Sequence, residues 1–185
     1  MCRNNTVYLL VGQRGAGKSE YARKIVSQQP EVLIVSRDAI LERMFGSINT
    51  DSYSGQLECC KEVMMRLLHR KLSTQTNLKL VLDCWTAGER SRRDLNQWLR
   101  THSATKIVAL YFVTPLEFVN EWFWKKPGIA KVREMKSRRN EGLVFFLEDA
   151  PACDHEAFHK LASNITSDGF DEVIRINPLE PVITL

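Results

Sequence analysis

Long apolar runs are missing from this sequence, and their absence excludes one class of protein. No stretch of its 185 residues approaches the roughly 20 consecutive apolar residues that a membrane-spanning helix needs. The N-terminal segment MCRNNTVYLL also lacks the apolar stretch of a secretory signal peptide. We therefore expect a cytoplasmic protein that does not bind membranes.

Paired cysteines and metal-binding spacings are missing as well. The five cysteines show neither C-x-x-C nor Cys/His zinc spacing, which indicates reduced thiols in a reducing compartment. Of the four histidines, His155 and His159 are spaced to share a helix face, but the sequence offers them no third ligand. We do not expect a zinc site.

A strong charge excess is absent too. The net charge of +4 would attract phosphorylated partners, but it falls short of the dense basic field of a dedicated nucleic-acid-binding protein. The hydrophobic share of 44% and charged share of 26% are those of a globular protein, with too few Gly and Pro residues for a disordered or fibrous chain. The length predicts a single domain over residues 1–185.

What the chain does contain is an alternation of short apolar runs with segments of helical spacing. Buried strands are predicted for five runs: TVYLLV (6–11), VLIV (32–35), LKLVLD (78–83), KIVALYFV (106–113) and EVIRI (172–176). Strands that alternate with helices are joined by right-handed crossovers into a parallel sheet, which predicts an α/β three-layer sandwich. Ligands of such sheets bind beyond the carboxyl ends of the strands.

The sequence predicts both ends of one helix and the apolar side of the next. The segment DAILERMFG has Asp38 as a plausible N-cap and Gly46 as its end. In the next helix, five apolar residues fall on roughly one side: Leu57, Met64, Leu67, Leu68 and Leu72.

The most informative segment is GQRGAGKS, residues 12–19, which we call the glycine loop. It satisfies G-x-x-x-x-G-K-[ST] at every fixed position, follows a predicted strand and opens a helix. Glycines let main-chain amides curl around phosphate, and the helix N-terminus points at the same place. Lys18 is expected to reach the β- and γ-phosphates, and Ser19 to bind Mg²⁺. The predicted nucleotide-binding residues are Gly12, Gln13, Arg14, Gly15, Ala16, Gly17, Lys18, Ser19 and Glu20.

A second metal-binding residue is predicted at the end of the third strand. Asp83 closes LKLVLD and would hold the water shell of Mg²⁺, although a helix or turn cap is an alternative role. It is followed by Cys84 and not by the Glu that motor-type ATPases use to polarise water. The N-K-x-D sequence of switch GTPases is also absent. Both absences favour phosphoryl transfer over hydrolysis or switching.

A base for phosphoryl transfer is available after the second strand. Asp38 follows VLIV-Ser36-Arg37 at the same edge of the sheet, where it could accept the proton of an attacking hydroxyl. Capping the following helix is the alternative role, and the sequence leaves both open.

Together, the segments GQRGAGKS, IVSRDAILERMFG, LVLDCWT and SDGFDEVIRI resemble the polynucleotide-kinase-like P-loop kinases, a group that includes AAA-domain-containing predicted kinases. The resemblance implies a five-stranded parallel sheet of order 2-3-1-4-5, ATP and Mg²⁺ as cofactors, Asp38 as general base and Asp83 as metal-binding residue. It also implies a basic lid inserted at roughly 125–150. Arg138 and Arg139 are its preferred catalytic candidates, with Arg133, Lys125 and Lys126 as further basic residues.

The acceptor is less well defined by the resemblance. Many members of the family place an Arg three residues after the catalytic Asp to hold the acceptor's phosphate, whereas this chain has Leu41. The aromatic residues Trp122 to Trp124 could stack on bases or pack in the core, and Trp85 could line an acceptor pocket.

The sequence therefore predicts a P-loop kinase that moves the γ-phosphoryl group of ATP to an acceptor hydroxyl. The acceptor is either a nucleic-acid 5′ end or a small molecule such as a nucleoside, a sugar or an antibiotic-like compound. The remaining alternative is a nucleotide-binding module with slow hydrolysis and no acceptor.

Overall fold

The computed structural model describes residues 4–48, 55–84, 86, 88–125 and 150–185, and the statements that follow concern these residues. They form a parallel sheet of five strands in the order β2-β3-β1-β4-β5. The strands are β1 (Thr6–Val11), β2 (Leu33–Ser36), β3 (Lys79–Asp83), β4 (Lys106–Phe112) and β5 (Glu172–Ile176). The predicted strands and their order are confirmed to within one residue at each end.

Helices connect the strands as right-handed crossovers require. Six are described: α1 (Lys18–Gln28), α2 (Arg37–Phe45), α3 (Gln56–Thr74), α4 (Glu89–Thr101), α5 (Leu116–Trp124) and α6 (Ala150–Ala162). Of these, none is both long enough and apolar enough to cross a bilayer.

The core consists of two apolar layers, one on each face of the sheet. Successive strand residues point to opposite faces, so Leu9 packs with α3 residues such as Leu68 while Leu10 packs with Ile25 of α1. All four of these side chains are fully buried. The two layers give the predicted three-layer α/β/α sandwich, and they fix the carboxyl ends of β1, β2 and β3 along one edge.

The start of α2 differs from the prediction. The N-cap is Ser36, whose Oγ accepts a hydrogen bond from the amide of Ala39 at 3.4 Å. Asp38 lies inside the first turn, so the prediction that it caps the helix is wrong. A serine at the end of β2 can cap because its extended backbone leaves the hydroxyl near the first free amides. The predicted end at Gly46 is confirmed, with φ of 70°.

The apolar face of α3 was only partly predicted. Its buried residues recur every fourth position: Cys60, Met64, Leu68 and Leu72. Leu57, expected on this face, is 37% exposed. Cys60 takes the buried place instead, since a small thiol fits where α3 meets α2 and donates to the carbonyl of Arg37 at 3.5 Å.

A buried ion pair that was not predicted from the sequence joins α4 to the segment before β5. Arg92 and Asp168 are both fully buried, with Nε to Oδ2 at 2.5 Å. Arg92 also donates to the carbonyl of Thr86, whose hydroxyl donates to the carbonyl of Leu10 in β1. The ion pair thereby ties the segment after β3 to the strand that leads into the glycine loop.

Candidate functional site

The glycine loop follows β1 and ends in α1, and two of its glycines are required by its backbone. Gly15 and Gly17 have φ of 79° and 80°, in the left-handed region that glycine adopts without strain. A Cβ atom at Gly15 would lie 2.8 Å from the carbonyl oxygen of Val119, and one at Gly17 would lie 2.8 Å from Trp122. The loop is therefore packed closely against α5 at the N-terminus of α1, where free amides and the helix dipole favour an anion.

Lys18 lies across this loop. Its Nζ donates to the carbonyl oxygens of Gly12 and Gln13, each at 2.7 Å. The ammonium group is thus placed over the loop by the main chain itself, where it adds a positive charge to the anion site.

The predicted metal-binding residues are in contact. The hydroxyl of Ser19, at the start of α1, donates to Oδ2 of Asp83, at the end of β3, at 2.6 Å. Asp83 is buried, at 8% exposure. No cluster of three or more His, Cys, Asp or Glu residues able to hold a metal occurs among the residues described. A hydroxyl and one carboxylate suit Mg²⁺, which keeps several waters and binds phosphate oxygens in nucleotide sites.

Asp38 lies one strand away from this pair. Ser36 and Asp83 are direct neighbours in the β2–β3 register, and Asp38 follows Ser36 by two residues. Its carboxylate is 38% exposed and is held by the guanidinium of Arg37, with Nη2 and Nε at 2.7 and 3.0 Å from Oδ1. Arg37, which the sequence analysis did not identify as a site residue, orients this carboxylate at the edge of the sheet.

A cleft of about 600 Å³ continues from the glycine loop along α1, and we call it the nucleotide cleft. Trp122 of α5 lines it, together with Pro178 and Leu179 of the segment after β5. The predicted aromatic cluster is therefore divided: Phe123 is buried in the core, at 4% exposure, while Trp122 reaches the cleft.

A second recess, of about 680 Å³, lies beyond β3 between α3 and α4, and we call it the apolar cavity. It is lined by Arg37, Leu57, Lys61, Met64, Met65, Cys84, Ser91, Asp94, Leu95 and Trp98. Burial raises the pKa of the Cys84 thiol to about 12, so this residue is a neutral part of the wall. The sequence analysis missed the cavity because its lining comes from four separate segments.

Two residues of the glycine loop contact α6. Arg14 forms an ion pair with Asp154, Nε to Oδ2 at 2.7 Å, and its guanidinium lies 5.4 Å from the ring centroid of Phe123. Gln13 accepts a hydrogen bond from Nδ1 of His155 at 2.6 Å. Burial, and to a lesser extent the neighbouring His159, lowers the pKa of His155. The helix that follows the predicted lid is therefore attached directly to the glycine loop.

Several predicted site residues lie outside the described residues. These are the preferred lid candidates Arg138 and Arg139, together with Trp85, Lys126 and Arg133. The structure brings together the others: the glycine loop, Ser19, Asp83 and Asp38 all lie at the carboxyl edge of β1, β2 and β3. His155 and His159 do share one helix, with their rings 4.3 Å apart.

Comparison with known proteins identifies relatives of this fold. A family model described as an AAA domain matches residues 7–141, which is most of the chain. Among curated proteins, no sequence matches.

Similar solved structures include kinases with different substrates in their names. A chain of the Pnkp1/Rnl/Hen1 RNA repair complex is 19% identical, with a TM-score of 0.63 over 89% of this chain and 47% of its own length. A fungal RNA kinase is 17% identical, with a TM-score of 0.54 over 96% and 79% of the two chains. Shikimate kinase from Acinetobacter baumannii, in complex with shikimate, is 16% identical, with a TM-score of 0.56 over 94% and 84%. The chain thus spans about half of the RNA repair protein, and these similarities establish the fold.

Proposed function

The chain belongs to the AAA domain family, and from that premise we propose that it is a phosphotransferase that moves the γ-phosphoryl group of ATP to a hydroxyl of an acceptor. The observation that carries the proposal is the arrangement at the edge of the sheet. The Ser19–Asp83 contact lies beside Lys18, and Asp38 lies one strand further on. A triphosphate held by the glycine loop would place its last phosphate between the metal-binding pair and a carboxylate.

Binding of the triphosphate rests on main-chain groups. The amides of Gly15 to Ser19 would donate to the β- and γ-phosphates, and Lys18 would exchange its two carbonyl contacts for phosphate oxygens. Ser19 and Asp83 would hold Mg²⁺, which neutralises charge on the phosphates when it is bound. Their oxygens already lie 2.6 Å apart, so small side-chain movements are sufficient to admit an ion.

The nucleotide cleft would hold the nucleoside. Apolar surface for a base is offered near Gly17 by Trp122, Pro178 and Leu179. A base stacked on this surface would bury one of its faces. Lys125 and Arg23, which also line the cleft, would lie near the phosphates or the ribose.

Asp38 would act as the general base. It would accept the proton of the acceptor hydroxyl while that oxygen forms a bond to the γ-phosphorus and the bond from phosphorus to the bridging oxygen of ADP breaks. Arg37 holds one carboxylate oxygen at 2.7 Å, which fixes the direction in which the other oxygen points. Arg37 is therefore a positioning residue in this scheme.

The lid would supply the remaining charge. We assign Arg138 and Arg139 to the stabilisation of the transferred phosphoryl group, because a planar guanidinium matches the geometry of phosphoryl oxygens. The contacts of Gln13 and Arg14 with α6, which follows the lid in sequence, support this assignment by linking the lid's end to the glycine loop.

The experiment that tests the proposal offers several classes of acceptor. The structural neighbours include both an RNA kinase and a small-molecule kinase, so both acceptor classes belong in the test. ATP radiolabelled at the γ-phosphate, with Mg²⁺, is offered to 5′-hydroxyl oligonucleotides, nucleosides, sugars and simple alcohols. Label on at least one acceptor, lost in Asp38→Asn, supports the proposal. Label found only as free phosphate across the whole panel would contradict it and indicate a hydrolase.

A further inference from the structure

The apolar cavity adjoins the proposed site of transfer at one end. Arg37 lines the cavity and also holds the carboxylate of Asp38, with Nη2 to Oδ1 at 2.7 Å. Cys84 lines it as well and directly follows Asp83. A hydroxyl beside Arg37 at this end of the cavity would therefore lie near the carboxylate of Asp38, while the rest of the molecule would extend between α3 and α4.

The inner wall of the cavity is apolar. Met64 is 6% exposed, and Met65, Leu95 and Trp98 are partly buried members of the core. The indole of Trp98 is stacked on His102, with ring centroids 4.0 Å apart and an angle of 17° between the planes. His102 is held in turn by a hydrogen bond from its Nδ1 to the carbonyl of Trp98 at 2.8 Å. This wall therefore offers apolar and aromatic surface to a ligand.

Polar groups of the lining are few and lie at its rim. Among the described residues around the cavity, Lys61, Ser91 and Asp94 are exposed, and the guanidinium of Arg37 is already engaged by Asp38. A sugar or other polyol placed inside would lose hydrogen bonds to water without replacing them, which is costly. The cavity therefore disfavours acceptors whose whole body is polar.

A polynucleotide also fits this lining poorly. Its backbone phosphates need several cations, whereas the described lining offers Lys61 and Arg37 against the carboxylate of Asp94. Leu41, three residues beyond Asp38, is fully buried and offers no contact to an acceptor phosphate.

From these observations we propose that the acceptor is a small alcohol with an apolar, aromatic-sized body, seated in the apolar cavity with its hydroxyl toward Asp38. The volume of about 680 Å³ is that of a pocket for a single small molecule. The methionines suit such a ligand because their flexible thioethers adapt to rings of different shape. This inference rests on the proposed function, and it excludes the nucleic-acid end as the preferred acceptor.

The test uses two apolar residues of α3 that are matched in exposure. Leu57 and Val63 are each 37% exposed, but Leu57 lines the cavity and Val63 does not. Cinnamyl alcohol, phenethyl alcohol, ribose and a 5′-hydroxyl hexanucleotide are the acceptor probes. We expect kcat/KM for the two aromatic alcohols to exceed that for ribose and the hexanucleotide by at least about tenfold.

Leu57→Lys is expected to act in opposite directions on the two acceptor classes, and Val63→Lys is its control. Leu57→Lys should lower kcat/KM for cinnamyl alcohol by at least about tenfold, because it places a charge in the apolar lining, while Val63→Lys should change it less than about twofold. If the hexanucleotide were the true acceptor, it would be the better substrate, and Leu57→Lys would raise its rate by adding a cation. That result would overturn the inference and leave the phosphotransferase proposal intact.

A binding measurement in the absence of phosphoryl transfer tests the cavity inference separately from the proposed phosphotransferase function. Cinnamyl alcohol is titrated into the full chain with ADP and Mg²⁺ and is followed by ligand-observed NMR. Saturable binding that is lost in Leu57→Lys and retained in Val63→Lys supports the cavity's chemistry even if no transfer occurs. Absence of binding, or equal binding by both variants, overturns the inference. Absence of transfer to every probe bears on the proposed function instead.

Discussion

The nucleotide cleft and the apolar cavity lie along the same edge of the sheet, but main-chain atoms form the phosphate end of the cleft whereas side chains form the cavity. The cleft is formed at its phosphate end by main chain, with Gly15 and Gly17 in left-handed conformations that leave no room for a Cβ. The cavity is formed by side chains of α2, α3, α4 and the residue after β3. A main-chain cradle recognises any phosphate tail, whereas a side-chain cavity selects shape and polarity. The donor chemistry is therefore common to many P-loop proteins, and the acceptor is a property of this chain.

The largest expected effect tests whether the two recesses have separate roles. Asp38→Asn should lower the rate of transfer by about 10²- to 10⁴-fold, the usual contribution of a general base, because the amide cannot take the proton. ATP affinity should stay within about twofold, since Asp38 lies on α2, away from the glycine loop. Single-turnover kinetics and calorimetry measure the two quantities.

The control for that variant is Glu42→Gln, an exposed acid of the same helix, which should retain activity. Equal loss of ATP binding and transfer in Asp38→Asn would assign the residue to structure and break the division between the recesses.

The next effect is on the nucleotide cleft. Lys18→Ala should weaken ATP binding by about 10- to 100-fold, because hydrogen bonds to charged groups contribute roughly 1.5–3 kcal/mol. Lys160→Ala, an exposed lysine of α6 paired with Glu156, is the matched control. Calorimetric affinity unchanged in Lys18→Ala would remove the lysine from the phosphate site.

A smaller effect is expected at the nucleoside end of the cleft. Trp122→Ala should raise the dissociation constant of ATP by about five- to tenfold, at the lower end of what base stacking contributes. The same variant should leave the affinity for inorganic triphosphate unaltered, which separates stacking from damage to the fold. Trp124→Ala is the control, because this neighbouring indole donates to Asn120 within α5 and does not line the cleft. Equal losses in both variants would argue against stacking.

The smallest effect concerns the link between α6 and the glycine loop. Burial lowers the pKa of His155 below 6.5, so the unfolded chain binds the proton more tightly than the folded chain. The contribution of the neutral His155 side chain to the free energy of unfolding is therefore complete above pH 6.5, and it is lost as the pH falls below that value. When the pH is lowered from above 6.5 to below it, the melting temperature of the wild type should drop by about 2 °C more than that of His155→Gln.

Exchange of His69, an exposed histidine of α3, serves as the control for that comparison. A wild-type melting temperature with the same pH dependence as that of His155→Gln would show that His155 does not contribute to the pH dependence of stability.

The same contrast explains which parts of the molecule could be predicted from the sequence. The strands are continuous apolar runs, and the glycine loop has its conformation specified by consecutive residues, so both were predicted to within a residue. Ser19 and Asp83 were predicted to serve one metal site because parallel strands align their carboxyl ends, but their direct hydrogen bond was not predicted.

Features that depend on side chains from distant segments were missed. The fully buried pair of Arg92 and Asp168 joins residues 76 positions apart, and neither differs locally from a surface charge. The N-cap of α2 was misassigned because Ser36 and Asp38 are both good capping residues, and only the exit angle of β2 decides between them. The lining of the apolar cavity comes from α2, α3, α4 and the residue after β3, and periodicity does not specify how these segments lie relative to one another.

The central claim is that a phosphoryl group held at the glycine loop passes to a hydroxyl in the neighbouring cavity. Phosphorus NMR of the protein with ATP, Mg²⁺ and cinnamyl alcohol tests it most directly, because a phosphomonoester and inorganic phosphate give distinct signals. The account predicts a phosphomonoester signal that grows in step with ADP and is absent with Asp38→Asn. ADP accompanied only by inorganic phosphate, at the same rate with and without the alcohol, would contradict it.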